Sequence, residues 1–152
     1  FGDLAVTVQP VRTAANQVWI FHGSAKGIAT TPSTKLSRDG ARAGFGDGIA
    51  SVGDLDGDKR DDLVIVSPCA RFDVKAGSCV GGTAYVFVGS ASGLRAQPVA
   101  TLAPPRKNFS VAGSALSTLG DSDGDKHPDF AYGAYVYRGG KGGIVDAKPP
   151  SL

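Results

Sequence analysis

The chain has 152 residues, enough for one packed domain, and its 22 Gly and 9 Pro are costly inside helices but useful in turns. All 14 acidic residues are Asp, whose short side chain favours turns and caps over helix interiors, and no run of about 20 apolar residues could span a bilayer. The formal charge of +2 comes from scattered Lys and Arg with no basic run longer than two residues, which argues for a solvated surface and against nucleic-acid binding or membrane insertion.

The first predicted element is Leu4-Ala5-Val6-Thr7-Val8, apolar on both faces as in a strand buried between stacked sheets. Val18-Trp19-Ile20-Phe21 follows, a β-branched and aromatic run that ends in the glycine turn Gly23-Ser24-Ala25-Lys26-Gly27. A more polar strand is placed near residues 33–36. Residues 45–54, Phe45-Gly46-Asp47-Gly48-Ile49-Ala50-Ser51-Val52-Gly53-Asp54, open a second unit. It continues through an Asp-rich loop into Leu63-Val64-Ile65-Val66, then Ala84-Tyr85-Val86-Phe87 and a polar strand near 99–102.

These elements are copies of one another. Residues 18–28 recur 66 positions later at 84–94, and a third version occupies 135–144. Residues 45–54 match 112–121 at an offset of 67. Four short strands per unit is the pattern of a propeller blade, so the fold class is all-β, a β-propeller of four-stranded antiparallel blades. The expected units are 1–44, a partial blade with strands two to four, 45–108, a complete blade, and 109–152, a blade shortened between strands two and three. Such a ring needs about four to eight blades, so the chain reads as part of a longer propeller. Asp3 aligns with Asp62, which makes the first copy enter at the end of its loop. In the third copy the offset falls from 67 in strand two to 50 in strand three, which predicts that 130–134 runs into 135–138 without a turn.

Two loops carry the chemistry. Asp54-Leu55-Asp56-Gly57-Asp58-Lys59-Arg60-Asp61-Asp62 and Asp121-Ser122-Asp123-Gly124-Asp125-Lys126-His127-Pro128-Asp129 share the pattern D-x-D-G-D-K-x-x-D ahead of an apolar strand. Calcium takes about six to eight oxygens, and carboxylates at the first, third, fifth and ninth positions of a tight loop can converge on one ion. The expected ligands are Asp54, Asp56, Asp58 and Asp62 in one loop and Asp121, Asp123, Asp125 and Asp129 in the other. The seventh residues, Arg60 and His127, each add a backbone carbonyl. Two structural calcium ions, each tying strand one to strand two of a blade, are therefore expected, with binding free energy acting as folding free energy. Magnesium fits less well because it demands strict octahedral geometry. An EF-hand is excluded, because its twelfth position would be Ile65 or Tyr132 instead of Glu.

Phe45-Gly46, Gly53-Asp54-Leu55-Asp56-Gly57-Asp58 and Asp62-Leu63-Val64-Ile65-Val66-Ser67-Pro68 resemble the FG-GAP repeat of integrin α-subunit propellers and their bacterial relatives. The chain departs from that pattern at Ser67-Pro68, at Ala112 in place of Phe, and at Lys59 and Lys126 in place of Gly. The resemblance implies a seven-bladed propeller with calcium loops on one face and ligand binding on the opposite one.

On that opposite face the resemblance places the connection 68–79. Its Cys69 and Cys79 either close a short loop as a disulfide, worth roughly 2.5–3 kcal/mol, or stay as two thiols. A bridge fits an extracellular setting, and the absence of Met from a chain beginning at Phe1 fits removal of any secretion signal. It would present Arg71, Phe72, Asp73 and Lys75 either to a partner or merely as a stapled solubility loop. Trp19 and Tyr85 are expected to pack between blades. No G-x-S-x-G elbow and no zinc-binding histidine pair occurs, and metal ligation accounts for the Asp clusters better than a glycosidase carboxylate pair. The expected function is a secreted, calcium-stabilised binding module for a protein or glycan, docked against the remaining blades of its propeller and not an enzyme. The alternative is the non-catalytic propeller part of a larger secreted hydrolase.

Overall fold

The computed structural model describes residues 1–9, 15–38, 44–68, 71–73, 75, 78–103, 116–144 and 146–148. Within them the chain is all-β and antiparallel, without a helix. The first sheet, in the order β1-β2-β5, holds β1 (Leu4–Val8), β2 (Gln17–Phe21) and β5 (Thr34–Ser37). The two-residue strands β3 (Gly23–Ser24) and β4 (Gly27–Ile28) form a small hairpin between its second and third members. The second sheet is a complete four-strand meander of β6 (Gly48–Gly53), β7 (Asp62–Ser67), β10 (Thr83–Phe87) and β11 (Ala100–Leu102). Between β7 and β10 the separate hairpin β8 (Arg71–Asp73) and β9 (Ser78–Val80) projects. The third sheet runs β12 (Leu116–Gly120), β13 (Asp129–Tyr132), β14 (Tyr135–Arg138) and β15 (Asp146–Lys148). These sheets are blades of a β-propeller, with β6 and β12 adjacent as inner strands. A cavity of about 660 Å³ is lined in part by Ala5, Ile49, Ser51 and Leu63.

Strand β7 shows how the sequence produces the stacking. Side chains alternate across a strand, and all six of its residues are buried. Leu63 and Ile65 pack with Val18, Ile20, Leu36 and Phe45 toward the first blade. Val64 and Val66 pack with Phe130, Tyr132 and Tyr137 toward the third. A run that is apolar at every position is thus a strand with a core on each side, each buried side chain contributing about 1.5–3 kcal/mol.

The Phe45-Gly46 pair has a physical reason in this stacking. Phe45 is fully buried at the interface of the first two blades, with its ring 5.7 Å from Tyr85 in an edge-on arrangement. Gly46 has φ of +88°, and a Cβ there would lie 2.9 Å from Thr7 Oγ1 and Val18 Cγ2 of the neighbouring blade. Thr7 Oγ1 instead donates to Gly46 O at 2.5 Å. Tyr85 packs against the core shared by the first two blades and lies 5.1 Å from the Arg38 guanidinium, whereas Trp19 is half-buried and 4.4 Å from Lys35 Nζ of its own blade.

One expectation is corrected. Strands β13 and β14 do not run together without a turn: Tyr132 pairs with Tyr135, and Gly133-Ala134 makes a two-residue hairpin. Gly133 has φ of +62°, the positive value that a type II′ turn requires at its first central position. The shorter spacing in the third copy is therefore a tight hairpin where the second copy has the β8–β9 excursion.

At the interface of the second and third blades, Tyr132 is 1% exposed and its hydroxyl has no hydrogen-bond partner. Burial, with the nearby Tyr137 and Tyr85 adding to it, pushes its phenol up to about 12. Burying a hydroxyl without a partner is destabilising. Tyr132→Phe is accordingly expected to raise the unfolding free energy by about 1 kcal/mol in urea denaturation, and a loss of stability would show that the hydroxyl is satisfied in solution.

Candidate metal centre

Each Asp loop is launched by an irregularity in the strand before it. In β6 the register shifts between Ser51 and Gly53, and in β12 between Thr118 and Gly120, so one extra residue turns the chain out of the sheet. Gly53 and Gly120 take φ of +80° and +67°, and the loop starts at the next residue.

The two loops then fold alike in their backbone N–H bonds. Asp54 Oδ1 accepts from the N–H groups of Gly57 and Asp58 at 2.7 and 2.9 Å, and its Oδ2 accepts from Lys59 at 2.8 Å. Asp121 does the same for Gly124, Asp125 and Lys126 at 2.7, 3.1 and 2.9 Å. The fifth-position carboxylates, Asp58 and Asp125, accept from Arg60 N and His127 N at 2.9 and 2.8 Å. Lys59 and Lys126 sit at φ of +68° and +77°, the left-handed region that suits the glycine they replace.

This curl gathers carboxylate oxygens of Asp54, Asp56 and Asp58 to within 4.8 Å of one another, and those of Asp121, Asp123 and Asp125 likewise. Oxygens on opposite sides of one calcium ion stand about 4.6–5.2 Å apart, so the donor set fits a single hard cation in each loop. One guanidinium offsets part of each cluster's charge: Arg60 Nη1 lies 3.4 Å from Asp58 Oδ2, and Arg138 Nη1 lies 3.2 Å from Asp123 Oδ2. At Asp121 burial acts to raise the carboxyl, but backbone N–H donors led by Lys126 outweigh it and hold the group below the usual carboxylate range.

The ninth-position residues stand apart from these trios. Asp62 is 1% exposed, and its Oδ2 accepts from Leu55 N at 2.9 Å while Oδ1 accepts from Gly89 N at 2.8 Å. Asp129, fully buried, repeats this with Ser122 N at 2.9 Å and Gly139 N at 3.1 Å, and also accepts from the Ser122 hydroxyl. Asp3 takes the same place in the first blade, accepting from Gly23 N at 2.9 Å and pairing with His22 Nδ1 at 2.9 Å. In all three copies this carboxylate ties the start of strand two to the glycine after strand three. That role escaped sequence reasoning, although the aligned Gly23, Gly89 and Gly139 were its signal. Burial pushes the Asp62 carboxyl up to about 6 against the two N–H bonds, with Asp56 and Asp54 pushing the same way.

The remaining sequence candidates lie at the other end of β7, about 17 Å away along a six-residue strand. There the β8–β9 backbone pairs Arg71 with Val80, Phe72 with Cys79 and Asp73 with Ser78, and Lys75 is exposed at its turn. Cys69, and the side chains of Cys79, Arg71, Phe72 and Asp73, lie outside the described residues, and with them the expected disulfide.

No family model matches the chain. Among curated proteins it is similar to integrin alpha-IIb of Homo sapiens, 34% identical over 104 residues that make up 68% of this chain and 9% of that protein. Integrin alpha-PS3 of Drosophila melanogaster is 34% identical over 107 residues, covering 63% of this chain and 9% of its own length. Integrin alpha-V of Gallus gallus is 32% identical over 101 residues, covering 61% and 9%. The chain thus spans about a tenth of the length of the curated relatives it matches.

Proposed function

Because the chain is an integrin α-like FG-GAP propeller, we propose that it serves as an extracellular binding module, stabilised by two structural calcium ions, and acts by recognition and not by catalysis. One observation carries the calcium reading: two loops 67 residues apart hold the same carboxylate trio with the same backbone bonds. Asp54, Asp56 and Asp58 would hold one ion, and Asp121, Asp123 and Asp125 the other. Asp62 and Asp129 and the carbonyls of Arg60 and His127 would complete the shells. A carboxylate oxygen that accepts one N–H keeps a further lone pair, so the buried ninth residues can serve both roles. The ion would cross-link strand one to strand two and relieve the mutual repulsion of the trio.

Recognition would then fall to the end of the blades away from the ions, where the backbone of the β8–β9 hairpin carries Arg71, Phe72, Asp73 and Lys75, the residues that would contact a protein or glycan. The calcium half is tested by calorimetric titration of the folded chain. Two equivalents are expected, falling to one in Asp54→Asn and one in Asp121→Asn, with magnesium binding more weakly. No heat from either loop would end the reading. For the hairpin, joint alanine replacement of its four residues should abolish binding to any protein or glycan that an array identifies, and undiminished binding would move the recognition site elsewhere.

A further inference from the structure

The third blade reaches across to the first Asp loop. His127, seventh in the second loop, lays its imidazole on Gly57, fourth in the first: a Cβ on Gly57 would lie 2.9 Å from His127 Cε1. The ring's Nδ1 is closed off from solvent without a hydrogen-bond partner, so packing, with no polar tether at that atom, holds it there. Beside it a Cβ on Gly53 would meet Pro128 Cγ at 3.0 Å, and Gly140 N donates to Leu55 O at 2.9 Å. Residues 53, 55 and 57 therefore bear on the third blade, while the interleaved Asp54, Asp56 and Asp58 form the carboxylate trio. The matching residue of the first loop, Arg60, turns its guanidinium to its own Asp58.

We infer that His127 is a positioning residue for the first metal site and that it couples the two sites. The inference rests on the calcium reading above. Filling the second loop fixes the backbone that carries His127. The seated ring then limits the excursions of Gly57 and keeps Asp56 and Asp58 converging. By linkage the effect is reciprocal: an occupied first loop presents a firmer seat and favours the second site equally.

Calorimetric calcium titration of the full chain decides it, with first-loop binding identified by its loss in Asp54→Asn. Emptying the second loop with Asp121→Asn and Asp125→Asn is expected to raise the first-loop dissociation constant about 5-fold or more. His127→Ala keeps the peptide carbonyl and is expected to give a comparable rise, with no further rise when combined with the emptied second loop. His127→Phe, which restores a ring, should recover most of the affinity, and His127→Gln replaces the alanine variant if that chain does not fold. A first-loop constant within about twofold of wild type in the ringless variant overturns the coupling and leaves both sites standing. Absence of calcium heat in the wild-type chain overturns both.

Discussion

Replacing Asp62 by alanine is expected to lower the unfolding free energy by about 2–4 kcal/mol, and to do so in chelator as well as in calcium. The carboxylate is buried and is the acceptor for two backbone N–H groups, Leu55 within the loop and Gly89 at the far side of the blade. Alanine leaves both donors without their acceptor, at about 1–3 kcal/mol each, and the relief of removing a crowded buried charge offsets part of the loss. Asp54→Asn is the contrast: its one oxygen still accepts from Gly57 and Asp58 and only the exposed Lys59 N–H loses its acceptor, so in chelator it should cost about 1 kcal/mol. Urea denaturation of the two variants in chelator measures the difference. If Asp62→Ala then matches wild type, the residue serves only a metal. The pH dependence has a definite sign. The folded carboxyl is raised from 3.8 to about 6, so its contribution is fully present below pH 4 and fades as pH rises through 6. Metal-free wild type should therefore gain about 1 kcal/mol on Asp62→Ala between pH 7 and pH 5.

Withdrawing calcium at pH 7 should lower the melting temperature by about 10–20 °C. Each site at a hundredfold excess of calcium over its dissociation constant contributes about 2.7 kcal/mol, or about 5 kcal/mol for two. For a chain of this size 1 kcal/mol moves the midpoint by about 2–4 °C. The physical source is the trio itself, three carboxylates within 4.8 Å with one guanidinium nearby, which repel until an ion joins them. Scanning calorimetry with calcium and with chelator reads the shift directly. A chain with Asp54→Asn and Asp121→Asn should melt near the chelated midpoint and respond little to calcium. A midpoint that ignores chelator in wild type would remove the structural role of the ions.

Much of this architecture was legible in the residues. The run Leu63-Val64-Ile65-Val66, apolar at every position, announced a strand with a core on each side, and the clusters around Ile65 and Val66 lie on opposite faces of β7. The Asp spacing announced the loops, since an Asx-type curl is local: Asp54 and Asp121 each bond backbone three to five residues ahead. The turn at Gly133-Ala134 was misread because spacing was compared with the second copy. A glycine with positive φ needs only two residues to reverse a strand. The structural duty of Asp62 was missed for a different reason, because its partner Gly89 lies 27 positions away, just past the end of β10.

The amino-acid order alone determined the repeat, the strands and the twin carboxylate loops, since each is written in local patterning: a recurring motif, short β-branched and apolar runs, and Asp side chains that bond backbone three to five residues ahead. Tertiary structure alone decided which surfaces meet: Phe45-Gly46 against Thr7 and Val18, Tyr132 at the second blade, and the His127 ring on Gly57. Those contacts join positions roughly 30 to 80 apart, and no local period encodes them; they follow from how twisted sheets stack face to face, which fixes the neighbours only once every blade is folded.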